Sequence, residues 1–154
     1  MTDIDVGIAS LGSADVAALL SVHQQRMLGA SPPGTSYALD LSGLQIPEVT
    51  VFEARRGGCL LGVGALKQLP GRNGEIKSMR TVDTALRQGV GQALLEFIET
   101  AARQRGYDRL LLETGTGEAF DPANRLYTRN GFVRREPFGD YTETQFNIFY
   151  EKLI

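Results

Sequence analysis

The chain of 154 residues has one cysteine, Cys59, and one histidine, His23. A single cysteine excludes an internal disulfide and a cysteine-based zinc site, and a single histidine leaves no second imidazole for a metal centre. No metal is expected. Neither sign of charge dominates: 16 basic against 18 acidic side chains leave a net charge of −2, with a pI of ≈ 5.4. That balance argues against broad nucleic-acid binding, although an acidic protein can still hold a local basic pocket for a small anion. No apolar run approaches the ~20 residues of a membrane span. The opening MTDIDVGIAS has neither a basic flank nor an apolar stretch of signal-peptide length. Repeats and low-complexity tracts are missing, and no shift in composition marks a domain boundary. One soluble, cytoplasmic domain covering 1–154 is expected, long enough to bury a core without covalent staples.

What is present reads as alternating strands and helices. Ile4, Val6 and Ile8 alternate as in a strand. Ser13 stands where a helix cap belongs, and Val16, Leu19, Leu20, His23 and Met27 follow at helical spacing. Residues 30–47 are rich in Gly, Ser and Pro, with a short helical turn near Leu41; irregular connections this long are usually functional or disordered. VTVFEARRGGCLLGVGALKQL reads as two strands about Gly57 and Gly58. EIKSMRT is a further strand of poor period. A helix follows with Val90, Leu94, Ile98 and Ala101 as its stripe. DRLLLE is a short strand apolar on both faces, the kind buried within a sheet. FDPANRLYTRNGF carries a capping Asp121, Pro122 at the first helical position, and Gly131 as a stop. FVRRE and TQFNIFYEKL close the chain as strands, Phe146, Ile148 and Tyr150 alternating in the last. The order β-α-loop-β-β-β-α-β-α-β-β implies an α/β fold with a mixed sheet and one strand–helix–strand crossover.

RQGVGQALL, starting at Arg87, sets two glycines two positions apart at the junction of a strand and a helix. Free N–H groups point outward from a helix start, and the helix dipole adds partial positive charge. Glycines there let a phosphate reach the backbone. A tight turn packed with small residues would share this spacing. The sequence is not a P-loop, since no Lys-Ser/Thr follows, and Leu94 stands where a dinucleotide fingerprint would place its third glycine.

The same stretch resembles the pyrophosphate loop, Gln/Arg-x-x-Gly-x-Gly/Ala, of the GNAT superfamily of acetyl-CoA-dependent N-acetyltransferases. Leu86 stands where Gln or Arg is usual, with Arg87 one place later. GEIKSMRT resembles the family's fourth strand, and LYTRNGF, from Leu126 to Phe132, resembles its L-Y-x-x-x-G-F helix end. The element order agrees along nearly the whole chain. GALKQL with GEIKSMRT, and the PFGDY tail, are similar to a bacterial subgroup whose acceptor is unassigned.

The resemblance implies a mostly antiparallel sheet flanked by helices, with a splayed strand pair at the cofactor site. It implies acetyl transfer from acetyl-CoA to a primary amine by direct attack in a ternary complex. The backbone of Met79, Arg80 and Thr81 would pair with the pantetheine, and Arg87, Gln88, Gly89, Val90, Gly91 and Gln92 would cradle the pyrophosphate. An amide near Met79 or Arg80 would meet the oxyanion. Tyr127 would protonate the leaving thiolate. Glu75 matches the place of the catalytic glutamate in the histone-acetylating branch, with Glu113 or water as rivals for the base. In many members an asparagine seven residues before the tyrosine touches the cofactor; here Phe120 holds that place, and Asn124 is out of register. A silent acetyl-CoA-binding sensor on the same fold is the alternative function.

Other residues carry less. Cys59 falls in the apolar CLLGV and reads as a buried, inert thiol. His23 reads as a packed or rim histidine, and the pairs Arg55-Arg56 and Arg134-Arg135 as solvated charges. Residues 30–47 and the EPFGDYTET loop should border the acceptor, with Tyr37 and Tyr141 as candidate lining residues. Glu136, Asp140 and Glu143 make that loop acidic, which would suit a cationic amine or, equally, a solvated loop. A homodimer is compatible with the closing strand.

Overall fold

The expected elements form in the expected order. The computed structural model describes residues 3–31 and 39–154; Tyr37 lies outside them. Strand β1 (Asp5–Ile8) leads to helix α1 (Ala14–Ala30) and the single turn α2 (Leu41–Leu44). Three antiparallel strands follow: β2 (Val49–Arg56), β3 (Cys59–Leu69) and β4 (Asn73–Thr81). Helix α3 (Val90–Gln104) crosses to β5 (Arg109–Gly115), and α4 (Asp121–Arg129) precedes β6 (Val133–Arg135) and β7 (Asn147–Leu153). The seven strands form one sheet in the order β1-β2-β3-β4-β5-β7-β6. Every neighbouring pair is antiparallel except β4 and β5, whose parallel pairing needs the α3 crossover.

Alternating strand residues feed a core on each face. On one face α1 lays Val16, Leu19 and Leu20 over Val51, Val63 and Ala65, with Leu44 beside them. On the other, Val90, Leu94, Leu95 and Ile98 of α3 cover Phe52, Leu66, Ile76 and Leu112. Helix α3 sits close to the sheet because β3 has no side chain at Gly62. A Cβ there would lie 2.8 Å from Val90 Cγ1 and 2.9 Å from the Arg80 carbonyl oxygen.

The poor period of EIKSMRT has a structural cause. Val63 pairs with Arg80 and Ala65 with Lys77, so Ser78 and Met79 together face Gly64. Such a bulge resets which face successive residues use, and Ser78 takes a left-handed φ of 57° to make it.

Several local expectations need correction. Ile8 is 70 % exposed at the sheet edge, while Ile4 and Val6 reach the core. Ala102, rather than Ala101, completes the buried α3 stripe. Ser13 sits at the α1 cap without a side-chain bond, and Phe120, rather than Asp121, occupies the α4 cap position. Phe146 lies just before β7. Cys59 is exposed, because it is the first β3 residue after the Gly57-Gly58 turn. Arg55 is paired with Asp15 at 2.8 Å and with Glu53, Arg56 with Asp3 at 2.8 Å, and Arg135 with Glu151 at 3.3 Å. These arginines are bound charges, though exposed pairs of this kind add little stability.

Gly62→Ala should lower the unfolding free energy by about 1–3 kcal/mol, the usual cost of overpacking a dense interface. Urea denaturation measures it, and an unchanged midpoint would mean that α3 can lift off the sheet without loss.

Candidate active site

The sheet opens at one place. Strands β4 and β5 stay paired from Asn73 with Arg109 to Ile76 with Leu112. Beyond that point β4 runs on to Thr81 and β5 to Gly115 without pairing to each other. The edge of β4 from Lys77 onward is therefore a strand edge inside the sheet, with backbone groups available to another chain-like ligand. A cavity of about 630 Å³ occupies the gap.

The floor of this cavity is the α3 N-terminus. Arg87 (φ 63°) and Gly89 (φ 85°) both take left-handed backbone, costly for the arginine and natural for the glycine. The first helical bond of this turn runs from the Ala93 amide to the Gly89 carbonyl. Among the described residues outside α3, none accepts a hydrogen bond from the amides of Gly89, Val90, Gly91 and Gln92. Those amides, the helix dipole and the exposed Arg87 make an anion cradle. A Cβ on Gly89 would meet nothing within 4 Å, so the space above it is open. The residues thus fit the diphosphate of a nucleotide-like ligand, and the free β4 edge fits its amide-bearing arm.

Met79, Arg80, Thr81, Arg87, Gly89, Val90, Gly91, Gln92 and Tyr127 all line the cavity. Two expected residues do not. The Gln88 side chain turns away, accepting from Arg56 Nη1 at 2.9 Å. Glu75 is 3 % exposed and stays behind the wall. Its carboxylate accepts a hydrogen bond from the Tyr141 hydroxyl, which spans β4 and the β6–β7 loop, and pairs with Lys77 Nζ at 3.2 Å. The Gln92 side chain is held by Asn130 at 2.8 Å, which leaves only its backbone for a ligand. Asn124 is also committed: it donates to the Gly115 carbonyl at 3.1 Å and accepts from the Tyr150 hydroxyl at 3.1 Å. Phe120 lines the cavity in its place.

Glu113 differs from Glu75 in just the relevant way. It lines the cavity, and burial pushes its pKa up to about 7. The Lys77 ammonium opposes that rise, the Glu75 charge adds to it, and a bond from Asn147 opposes it. A carboxylate balanced near neutrality is suited to accept and release a proton. Tyr127, on α4, is buried against Phe132 and Tyr150, with ring centroids 5.7 and 6.2 Å away. Burial raises its pKa well above that of free tyrosine, so it keeps its proton and has an O–H to donate. Among the described residues, nothing bonds its hydroxyl.

His23, Lys77 and Arg26 also line the cavity; only His23 showed in the sequence, as one member of a helical stripe. The acidic residues of the EPFGDYTET loop are not on the cavity wall; Glu136 is 84 % exposed beside Arg135. Among the described residues there is no cluster of His, Cys, Asp or Glu that would hold a metal. No helix of the described residues is long and apolar enough to cross a membrane.

Residues 18–132 match the model of the acetyltransferase (GNAT) family. The uncharacterized N-acetyltransferase YsnE of Bacillus subtilis is 44 % identical over 149 residues, covering 97 % of this chain and 99 % of that protein. Among solved structures, an acyl-CoA N-acyltransferase from Klebsiella pneumoniae superposes with a TM-score of 0.82 at 29 % identity, covering 97 % of each chain. A GNAT family acetyltransferase from Elizabethkingia anophelis with acetyl-CoA bound shares the fold, with a TM-score of 0.72 at 17 % identity over 100 % of both chains.

The raised pKa of Glu113 makes a stability test. Between its ordinary value of 4.5 and about 7, the folded chain holds a proton that the unfolded chain has released. Wild-type stability therefore loses this contribution as pH rises through that window, and the loss is complete above it. Glu113→Gln should gain on wild type by on the order of 2 kcal/mol between pH 4.5 and 8. Urea unfolding across that range checks this; a difference independent of pH would show that Glu113 is not desolvated.

Proposed function

The chain belongs to the GNAT family of acetyltransferases, and on that premise we propose that it transfers acetyl from acetyl-CoA to a primary amine by direct attack in a ternary complex. We assign all of residues 1–154 to this one domain, since all seven strands share a single sheet. Bound acetyl-CoA supplies an acetyl group activated as a thioester. The backbone of residues 87–92, with the free amides at the start of α3, and the Arg87 side chain hold the diphosphate. Backbone groups of Met79, Arg80 and Thr81 pair with the pantetheine arm, and an amide at the bulge donates to the developing oxyanion.

The proton has to leave the acceptor, since an alkyl ammonium has a pKa near ~10.4. We assign the base to Glu113 rather than Glu75. Glu113 reaches the cavity with a pKa of about 7, whereas the Glu75 carboxylate is engaged by Tyr141 and Lys77 behind the wall. Glu75 then acts by holding Lys77 and by raising Glu113. Tyr127 is the acid: burial keeps its hydroxyl protonated, available to donate to the sulfur as negative charge develops on it. The observation that carries the reading is that a single cavity is bordered by a free β4 edge, an anion cradle, a near-neutral carboxyl and a protonated phenol.

Thiol release across an amine panel tests it. Tyr127→Phe should lower kcat by about 100-fold while acetyl-CoA affinity stays within about twofold. A change in affinity alone would make the tyrosine a packing residue. kcat/KM should rise with pH through about 7. Glu113→Gln should abolish that limb, and Glu75→Gln should keep it at lower pH. A limb surviving in Glu113→Gln and lost in Glu75→Gln would reverse the assignment. Tight acetyl-CoA binding with no turnover on any amine would instead mark a sensor.

A further inference from the structure

The cavity has a second charged side that acetyl-CoA does not account for. It is built where α1 crosses β4, on the sheet face away from α3. Three cations border it: Arg26 of α1, and Lys77 and Arg80 of β4. Two are already neutralised. Arg26 grips Asp83 through both terminal nitrogens at 2.7 Å. Lys77 is paired with Glu75 at 3.2 Å and bonds the Tyr141 hydroxyl at 2.6 Å.

Arg80 is different. It is half-buried, and its Nε donates to Nδ1 of His23 at 3.0 Å. His23 is itself 7 % exposed. Burial, with help from the Arg80 and Lys77 charges, brings its pKa down to about 4, so the imidazole is neutral and offers a lone pair but no negative charge. Among the described residues, no carboxylate pairs with Arg80 and nothing accepts from its two Nη groups. Residues 32–38 contain no Asp or Glu that could serve. Arginine does not shed its proton in proteins. Asp83 attracts Arg80 through space, but both of its oxygens are bonded to Arg26. A desolvated guanidinium whose terminal nitrogens have no bonded carboxylate is unfavourable, and proteins normally pair it. His23 holds the Nε side of this one and leaves the fork of terminal nitrogens to the cavity.

We propose that Arg80 is the docking point for a carboxylate on the acceptor, so that the acetylated amine belongs to a carboxylic acid of the amino-acid type. The inference rests on the acetyl-transfer reading above and deepens it by naming the substrate class. The charge count selects the ligand. With Arg26 bonded to Asp83 and Lys77 to Glu75, one guanidinium fork remains without a bonded partner, and with Glu113 close by a singly charged anion is easier to admit than a dianionic phosphate. The planar fork also suits a carboxylate, which it meets with two parallel bonds. The same cavity holds Glu113, so an acceptor tied at Arg80 by its carboxylate can present its ammonium to the base. This reverses the polarity expected from the acidic EPFGDYTET loop, whose acids do not reach the wall.

The test is thiol release with matched acceptors: free α-, β- and γ-amino acids, their amides, and their decarboxylated amines, each with wild type, Arg80→Gln and Arg80→Lys. Wild type should prefer the acids. Arg80→Gln should lower the ratio of kcat/KM for acids to that for the matched amides and decarboxylated amines by about 10- to 100-fold, the worth of a charged hydrogen-bonded contact, whatever its effect on the common rate. Arg80→Lys should recover part of the preference. Carboxyl-free amines used as well as acids by wild type, or a preference surviving in Arg80→Gln, would overturn the proposal, as would a clear preference for O-phosphoethanolamine. If acetyl-CoA binds but no amine reacts, the transfer reading fails by itself, and equilibrium binding decides the docking role. N-acetylated amino acids should then stabilise wild type against heat more than their amides do, with no such difference in Arg80→Gln. Equal stabilisation by acids and amides in wild type would end it.

Discussion

The site depends on two parallel strands that part company. β4 and β5 are hydrogen-bonded only as far as Ile76 and Leu112, and the bulge at Ser78 and Met79 then turns the rest of β4 along β3. A sheet interior normally has no unpaired backbone, because buried N–H and C=O groups left without partners are costly. In the proposed reading the missing partner is the pantetheine arm of the coenzyme. The same parting positions the α3 N-terminus at the mouth of the gap, since α3 is the crossover that parallel pairing requires. The strand edge and the anion cradle are thus two consequences of one topological feature.

The two faces of the sheet divide the work. Toward α3 and α4 lie the residues proposed to meet the coenzyme: the amides at the α3 N-terminus, and Tyr127 held between Phe132 and Tyr150. Toward α1 and the β6–β7 loop lie the ionisable residues: Glu75, Lys77 and Tyr141 in one bonded group, Glu113 beside them, and His23 with Arg80. Burial works in opposite directions on these groups. It raises Glu113 to about 7 and lowers His23 to about 4, in each case by penalising the charged form. At neutral pH the cavity therefore has a carboxyl near its midpoint, a neutral imidazole, and a guanidinium whose terminal nitrogens no carboxylate among the described residues bonds.

Glu75 shows why a position in a motif is weaker evidence than a neighbour. It stands four residues before Met79, and that spacing made it the first candidate for the base. Its side chain and that of Glu113 fall on the same face of adjacent strands. What separates them is the Tyr141 hydroxyl, brought 66 residues along the chain to bind one and not the other. The acidic loop is a similar case. Glu136, Asp140 and Glu143 cluster in sequence, yet the loop directs its aromatic residues inward, Phe138 and Tyr141 packing on Phe149, because apolar rings gain more from burial than carboxylates do.

The order of strands and helices, the left-handed glycine turn before α3, the buried character of DRLLLE and the placing of the LYTRNGF tyrosine on a short helix were all legible in the sequence. Each is written in local patterns: the periodicity of apolar residues, glycine where the backbone must be left-handed, and a helix start whose amides have no internal partner. Other features were not local and so were not legible. They include the exposure of Cys59 after its turn, the carboxylates that meet Arg55, Arg56 and Arg135, the withdrawal of Glu75, and the terminal nitrogens of Arg80 left without a bonded carboxylate among the described residues. Each depends on which distant side chain arrives at a given point, and on how much water is removed when it does. Periodicity decides what a segment becomes; only packing decides the pKa of a carboxyl and which cation is left for a substrate.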